Sequence, residues 1–105
     1  MKRYEVVISD KADEDMKAIC QYIAETLLEP VVAAKKYDRI AEAILSLGEM
    51  PERIRLMDSK EERSKGLRPL LVDKYTVFFV IKDDIVHIVR VLYSTSDISK
   101  RLFEE

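Results

Sequence analysis

Two neighbouring stretches late in the chain, residues 75–81 (YTVFFVI) and 85–93 (IVHIVRVLY), are apolar on both faces and are separated by three residues, Lys82, Asp83 and Asp84. Successive side chains of a strand point to opposite sides of its sheet. Val77, Phe79 and Ile81 would therefore oppose Phe78 and Val80. In the second stretch Val86, Ile88 and Leu92 would oppose Ile85, Val89 and Val91. An antiparallel pair usually keeps one wet face. This hairpin has none, so the rest of the chain, or another chain, must cover it on both sides.

The first half of the sequence offers one cover. Residues 3–9 (RYEVVIS) alternate like a strand, with Tyr4, Val6 and Ile8 on one face. Ser9 or Asp10 is a suitable helix N-cap. Asp13, Glu14 and Asp15 follow, where negative charge suits the helix dipole. Met16, Ile19, Cys20, Ile23 and Leu27 make one helical stripe. The helix should stop near Leu28, because the residue before Pro30 avoids helical angles. Pro30 suits the first turn of a second helix, with a stripe of Ala33, Tyr37, Ile40, Ala41, Ile44 and Leu45. Gly48 is placed to cap that helix, and Pro51 lies beyond it. So short a joint makes an antiparallel helical hairpin. The second cover falls to a short tail helix over residues 97–103 and to a second chain.

Residues 51–66 (PERIRLMDSKEERSKG) show neither period. They are expected to form a charged loop with a short turn around residues 54–57. Long loops in small domains are often functional or mobile. Asp58, Glu61 and Glu62 alternate with Lys60, Arg63 and Lys65 and read as solvated. Residues 67–72 form another strand, joined to the apolar pair through Asp73 and Lys74. The order is β-α-α-β-β-β(-α). This is an α+β fold, an antiparallel sheet packed on a helical hairpin, in one domain over residues 1–105.

Composition narrows the function. Apolar residues are 48% of the 105, enough for one modest core. Charged residues are 36% but nearly cancel, to a net −2. Proteins that grip nucleic acid by its phosphates usually carry a net positive charge. The start, MKRYEVVISD, lacks the apolar run of a signal peptide. No stretch approaches the roughly 18 apolar residues of a membrane span. A single cysteine, Cys20, rules out an internal disulfide and fits a cytoplasmic setting. With one Cys and one His there is no metal-ligand spacing, and no cofactor motif is present. Cys20 reads as core and His87 as a packed strand residue.

Three positions stand out. Arg68 opens the first strand of the terminal sheet. Arg90 interrupts the apolar run Val89–Arg90–Val91–Leu92. A buried, unpaired guanidinium costs several kcal/mol, so Arg90 must reach water, an internal acid or an acidic partner. Asp97 precedes the tail helix and suits its N-cap.

The run from Val89 through Leu92, Tyr93, Ser94, Thr95 and Ser96 to Asp97 and Ile98 resembles the closing motif of the RelE/ParE toxin family, which includes plasmid stabilisation proteins. There a strand ends in Val-Leu-His or Val-Leu-Tyr and leads to Asp-Ile or Asp-Leu. Arg68, followed seven residues later by Tyr75 and an aromatic-rich strand, resembles the family's strand pair. The resemblance implies the toxin of a type II toxin–antitoxin pair, with a cognate antitoxin as partner. It leaves open a homodimer or a toxin–antitoxin hetero-oligomer.

The family offers two activities. RelE-like members are ribosome-dependent messenger ribonucleases and ParE-like members inhibit DNA gyrase. Metal-independent RNA cleavage needs a base, an acid and a cation. RelE-like toxins resemble one another in placing cations just after the tyrosine of the penultimate strand and just after the final strand. Those positions here hold Thr76 and Ser94–Ser96, which carry no charge. A ribonuclease would have to use Tyr93 with Arg68 or Arg90, and a phenol with an ordinary pKa of about 10 is a poor base. A pI of about 5.5 also suits RNA poorly. The ParE branch is therefore expected, with Arg68, Tyr75, Arg90, Tyr93 and Asp97 meeting a partner. A non-toxic relative serving as a binding module is the remaining alternative.

Overall fold

The computed structural model describes residues 2–94 and Leu102. The elements are β1 (Glu5–Ile8), α1 (Asp10–Gln21) with a π-helical extension (Tyr22–Thr26), α2 (Pro30–Ser46), a 3-10 turn (Pro51–Arg53), α3 (Lys60–Ser64), β2 (Arg68–Val72), β3 (Tyr75–Lys82) and β4 (Ile85–Tyr93). This is the expected α+β order. The expected tail helix lies outside the described residues, apart from Leu102. No helix among the described residues is long and apolar enough to cross a membrane.

The four strands form one sheet in the order β1-β4-β3-β2. β2, β3 and β4 are antiparallel neighbours, as expected. β1 differs: it adds to β4 in parallel, from Glu5 opposite Ile85 to Ile8 opposite Ile88. The helical hairpin lies between β1 and β2 in the chain, and the strands that follow bring β4 back beside β1 in the same direction. The sheet is therefore mixed.

Local chemistry sets the helix ends. Ser9 Oγ accepts from the Ala12 amide at 3.1 Å, which caps α1. The same oxygen donates to the Val89 carbonyl at 3.0 Å and ties the cap to β4. Leu28, at the hairpin tip, has φ +57°, an unusual angle for a bulky residue. Gly48 follows α2 where the chain crowds β1. Its carbonyl accepts from the Tyr4 amide at 2.8 Å, and an added Cβ would sit 3.4 Å from the Tyr4 oxygen.

The main core lies between the hairpin and one sheet face. Ala12, Met16, Ile40, Ile44 and Leu47 pack against Val77, Phe79, Val86, Ile88 and Val91. The helical stripes are narrower than the sequence suggests: Leu27, Tyr37 and Leu45 are exposed. The facing of β4 also changes along its length. Ile88 pairs with Phe79 but Arg90 pairs with Phe78, so Val89 is an extra residue in a β-bulge. The bulge reverses the alternation beyond Ile88. Val91 therefore joins the main core and Leu92 the opposite face, the reverse of simple alternation.

The opposite face has its own small cluster. Leu67, Phe78 and Leu92 are buried there, with Met57, Val80, Val89 and Leu102 packed against them. Part of the second cover therefore comes from residues 51–66. That segment is more ordered than a bare loop. Its turn lies at Pro51–Arg53 rather than at 54–57, and α3 follows. Glu62, expected to be solvated, is 1% exposed. The Glu62 carbonyl accepts from the Leu67 amide, which holds α3 down onto the start of β2.

Candidate partner-binding groove

β1 stops at Ile8, but β4 runs on to Tyr93. Past Ile88 the outer edge of β4 therefore has no strand beside it, and residues from α1 take over. Ser9 meets the Val89 carbonyl, and Asp15 Oδ2 accepts from the Val91 amide at 2.9 Å. The same carboxylate receives both sides of the Arg90 guanidinium, Nε to Oδ2 at 2.7 Å and Nη2 to Oδ1 at 2.9 Å. Of the outlets open to Arg90, the structure shows the internal acid. The Arg90 and Asp15 side chains are 7% and 12% exposed, so the pair is well shielded from water.

Beyond that pair the hairpin and the sheet diverge and leave a groove of about 710 Å³. Ile19, Tyr22, Ile23 and Leu27 form its α1 wall. Glu29, Val32 and Lys36 form the α2 wall, and Lys74, Tyr75, Val91, Leu92 and Tyr93 the sheet side. Tyr75 and Tyr93 face each other across β3 and β4, with ring centroids 5.7 Å apart at 63°, an edge-to-face pair. Burial pushes the Tyr75 phenol above its ordinary value of 10.0, with a further push from Tyr93. Tyr75 lines the groove as an aromatic wall.

An ion cluster fixes the sheet end. Asp73, in the β2–β3 turn, receives Lys36 Nζ at 3.0 Å and Arg39 Nε and Nη2 at 2.8 and 3.0 Å. These hydrogen bonds hold the Asp73 carboxyl below its ordinary value. Lys36 is thereby oriented in the groove wall. Thr76 lies just behind Tyr75, and its Oγ1 is 2.8 Å from Ser94 Oγ.

The residues singled out in the sequence are only partly brought together. Tyr75 and Tyr93 share the groove. Arg90 acts on it through Asp15, which lines the wall. Arg68 lies at the other end of β2, roughly 13 Å along the strand from the Tyr75 end. Its Nη1 donates to the Ile54 carbonyl at 2.6 Å. Asp97, with Thr95 and Ser96, lies outside the described residues. Sequence reading missed Tyr22, Val32, Lys36 and Lys74. The available signal was that Tyr22 and Val32 are apolar yet sit off the core stripes, and both are exposed.

Sequence and structure comparisons agree with this architecture. Residues 6–98 match the model of the ParE toxin of the type II toxin–antitoxin system parDE. The chain therefore belongs to the ParE toxin family. No curated protein is a significant sequence match. Among solved structures the fold is similar to a chain of the chromosomal ParDE system from P. aeruginosa, with a TM-score of 0.74 and 21% identity over 89% of this chain and 98% of that one. It is also similar to a chain of the RelBE2 toxin–antitoxin complex from Mycobacterium tuberculosis, with a TM-score of 0.61 and 19% identity over 87% and 98%. A mutant of the E. coli toxin RelE in the free state gives 0.62 and 10% identity over 94% and 92%. By its match to the ParE model the protein is a toxin of the type II toxin–antitoxin class.

Proposed function

We propose that this toxin arrests growth by binding DNA gyrase, without catalysis of its own, and that its cognate antitoxin neutralises it by filling the groove at Tyr75 and Tyr93. The observation that carries the reading is the bond between Thr76 and Ser94. RelE-like toxins resemble one another in placing cations just after the penultimate-strand tyrosine and just after the last strand. Here two neutral hydroxyls occupy the described positions and bond to each other. The exposed apolar residues Tyr22, Leu28 and Val31 at the hairpin tip suit a protein surface better than an RNA backbone. In this reading Tyr75 and Tyr93 contact the partner directly and Arg90 positions the groove wall through Asp15. Arg68 meets an acidic group from the far end of the sheet, and Asp97 remains a candidate contact.

One observation favours a second reading, a RelE-like messenger ribonuclease. Tyr93 shares the groove with Lys36 and Lys74, so a phenol that can pass a proton lies in the same cleft as two ammonium groups. Lys36, however, is already committed to Asp73.

A binding titration against purified gyrase separates the two. Saturable binding at micromolar toxin or tighter is expected. No binding, together with codon-phased cuts in ribosome-bound messenger after expression, would select the ribonuclease.

A further inference from the structure

The groove is apolar along its length but charged with opposite sign at its two ends. At the hairpin tip, residues 22–32 carry two acids, Glu25 and Glu29, and no base. Glu29 lines the groove and makes no capping hydrogen bond with its side chain. At the sheet end Lys36 and Arg39 share the single carboxylate of Asp73, and a third cation, Lys74, follows it in the chain. Lys74 makes no ion pair among the described residues, is exposed and lines the groove. Asp15 adds no free charge at this site, because it is committed to Arg90 and the Val91 amide. Glu29 and Lys36 are seven residues apart, so the two ends lie roughly 10 Å apart along α2. Between them the walls present side chains at helical spacing: Ile19, Tyr22 and Ile23 on one helix, Val32 on the other.

We infer that the groove takes a two-turn amphipathic helix of a protein partner, and that it selects a helix with an acidic residue at the Lys74 end and a basic residue one heptad away at the Glu29 end. The proposal rests on the reading of the groove as the partner site and adds the charge pattern of the segment that fills it. An apolar stripe at i, i+3, i+4 and i+7 supplies affinity in such a groove. The end charges supply discrimination: a helix with two like charges meets repulsion at one end. A pair that is partly exposed at each end changes affinity by roughly twofold to fivefold.

Three stapled helical peptides test this, read by fluorescence anisotropy against the full chain. They share one leucine stripe and differ only in two flanking residues seven apart: Glu with Lys, Glu with Glu, or Lys with Lys. The mixed peptide is expected to bind several-fold tighter than the other two. With Lys74→Glu the Lys–Lys peptide should become the tightest, and with Glu29→Lys the Glu–Glu peptide. Both substitutions are on exposed side chains, and thermal melts would confirm that the variants fold. Equal binding of all three peptides, weakened together by Tyr93→Ala, would leave the groove as the partner site and overturn the charge selection. An order of affinities that neither substitution alters would also overturn it. Failure of every peptide to bind would remove the groove reading itself.

Discussion

Arg90 and Asp15 are 75 residues apart in the chain, yet they form a two-pronged ion pair, Nε to Oδ2 at 2.7 Å and Nη2 to Oδ1 at 2.9 Å. The pair closes the edge of β4 where β1 ends, and it anchors α1 at the inner end of the groove. A guanidinium in an apolar strand is thus a fastener between the last strand and the first helix.

Removing one partner should therefore be costly. Asp15→Ala leaves Arg90 without this carboxylate, and the Val91 amide without its acceptor. Breaking a buried pair from one side costs about 3–5 kcal/mol, a large share of the roughly 5–15 kcal/mol that holds a small domain together. Replacing both residues, as Asp15→Leu with Arg90→Met, should cost clearly less than Asp15→Ala alone. Urea denaturation of the three proteins checks this. A loss below about 1 kcal/mol for Asp15→Ala would show that the pair does not fasten the fold.

The Asp73 cluster predicts a pH dependence. Lys36 and Arg39 lower the folded-state pKa of Asp73 below its ordinary 3.8. A depressed carboxylate contributes stability above its unfolded pKa and loses it as the pH falls through the folded value. Asp73→Asn should therefore be less stable than the parent near neutral pH. The gap should begin to close near pH 3.8 and vanish at lower pH. Added salt should narrow it as well, since the cluster is partly exposed. Melting curves across pH would settle the point, and a gap that stayed constant from pH 7 into strong acid would refute it.

The second sheet face gives a contrast between two residues. Phe78 is 1% exposed and sits among Leu67 and Leu92, whereas Leu71 is 71% exposed on the edge strand β2. Phe78→Ala should cost about 3–5 kcal/mol. Leu71→Ala should stay within roughly 0.5 kcal/mol. Comparable losses for both would mean that this face is not a packed layer.

Tyr93 separates binding from folding. It is 43% exposed and stands in the groove beside Tyr75. Tyr93→Ala should weaken the cognate antitoxin by about tenfold or more, as expected for an aromatic anchor in a groove, with little change in melting temperature. Isothermal titration with the purified antitoxin measures the first quantity and a thermal melt the second. Unchanged affinity would move the antitoxin site elsewhere.

Much of this architecture is legible in the sequence because it is local. The helical hairpin follows from apolar spacing, Ser9 and Pro30. The β3–β4 hairpin follows from two apolar runs and a short joint. What the sequence does not show depends on contacts between distant segments. The parallel pairing of β1 with β4 joins residues about 80 positions apart. The bulge at Val89 exchanges the faces of Val91 and Leu92, and strict alternation cannot anticipate it. Glu62 sits in a charged run, yet the fold buries it. The groove is the clearest case: Tyr75 and Tyr93 are visible as motif residues, but Lys36, Lys74 and Tyr22 become its walls only when the hairpin is laid across the sheet.

This member of the ParE family is proposed to act on gyrase. The most direct measurement is the supercoiling of relaxed plasmid by purified gyrase, titrated with the purified toxin and repeated with antitoxin added. Inhibition at micromolar toxin, relieved by an equimolar amount of antitoxin, is the predicted result. Full supercoiling at those concentrations, from a toxin preparation that instead blocks translation, would exclude gyrase as the target.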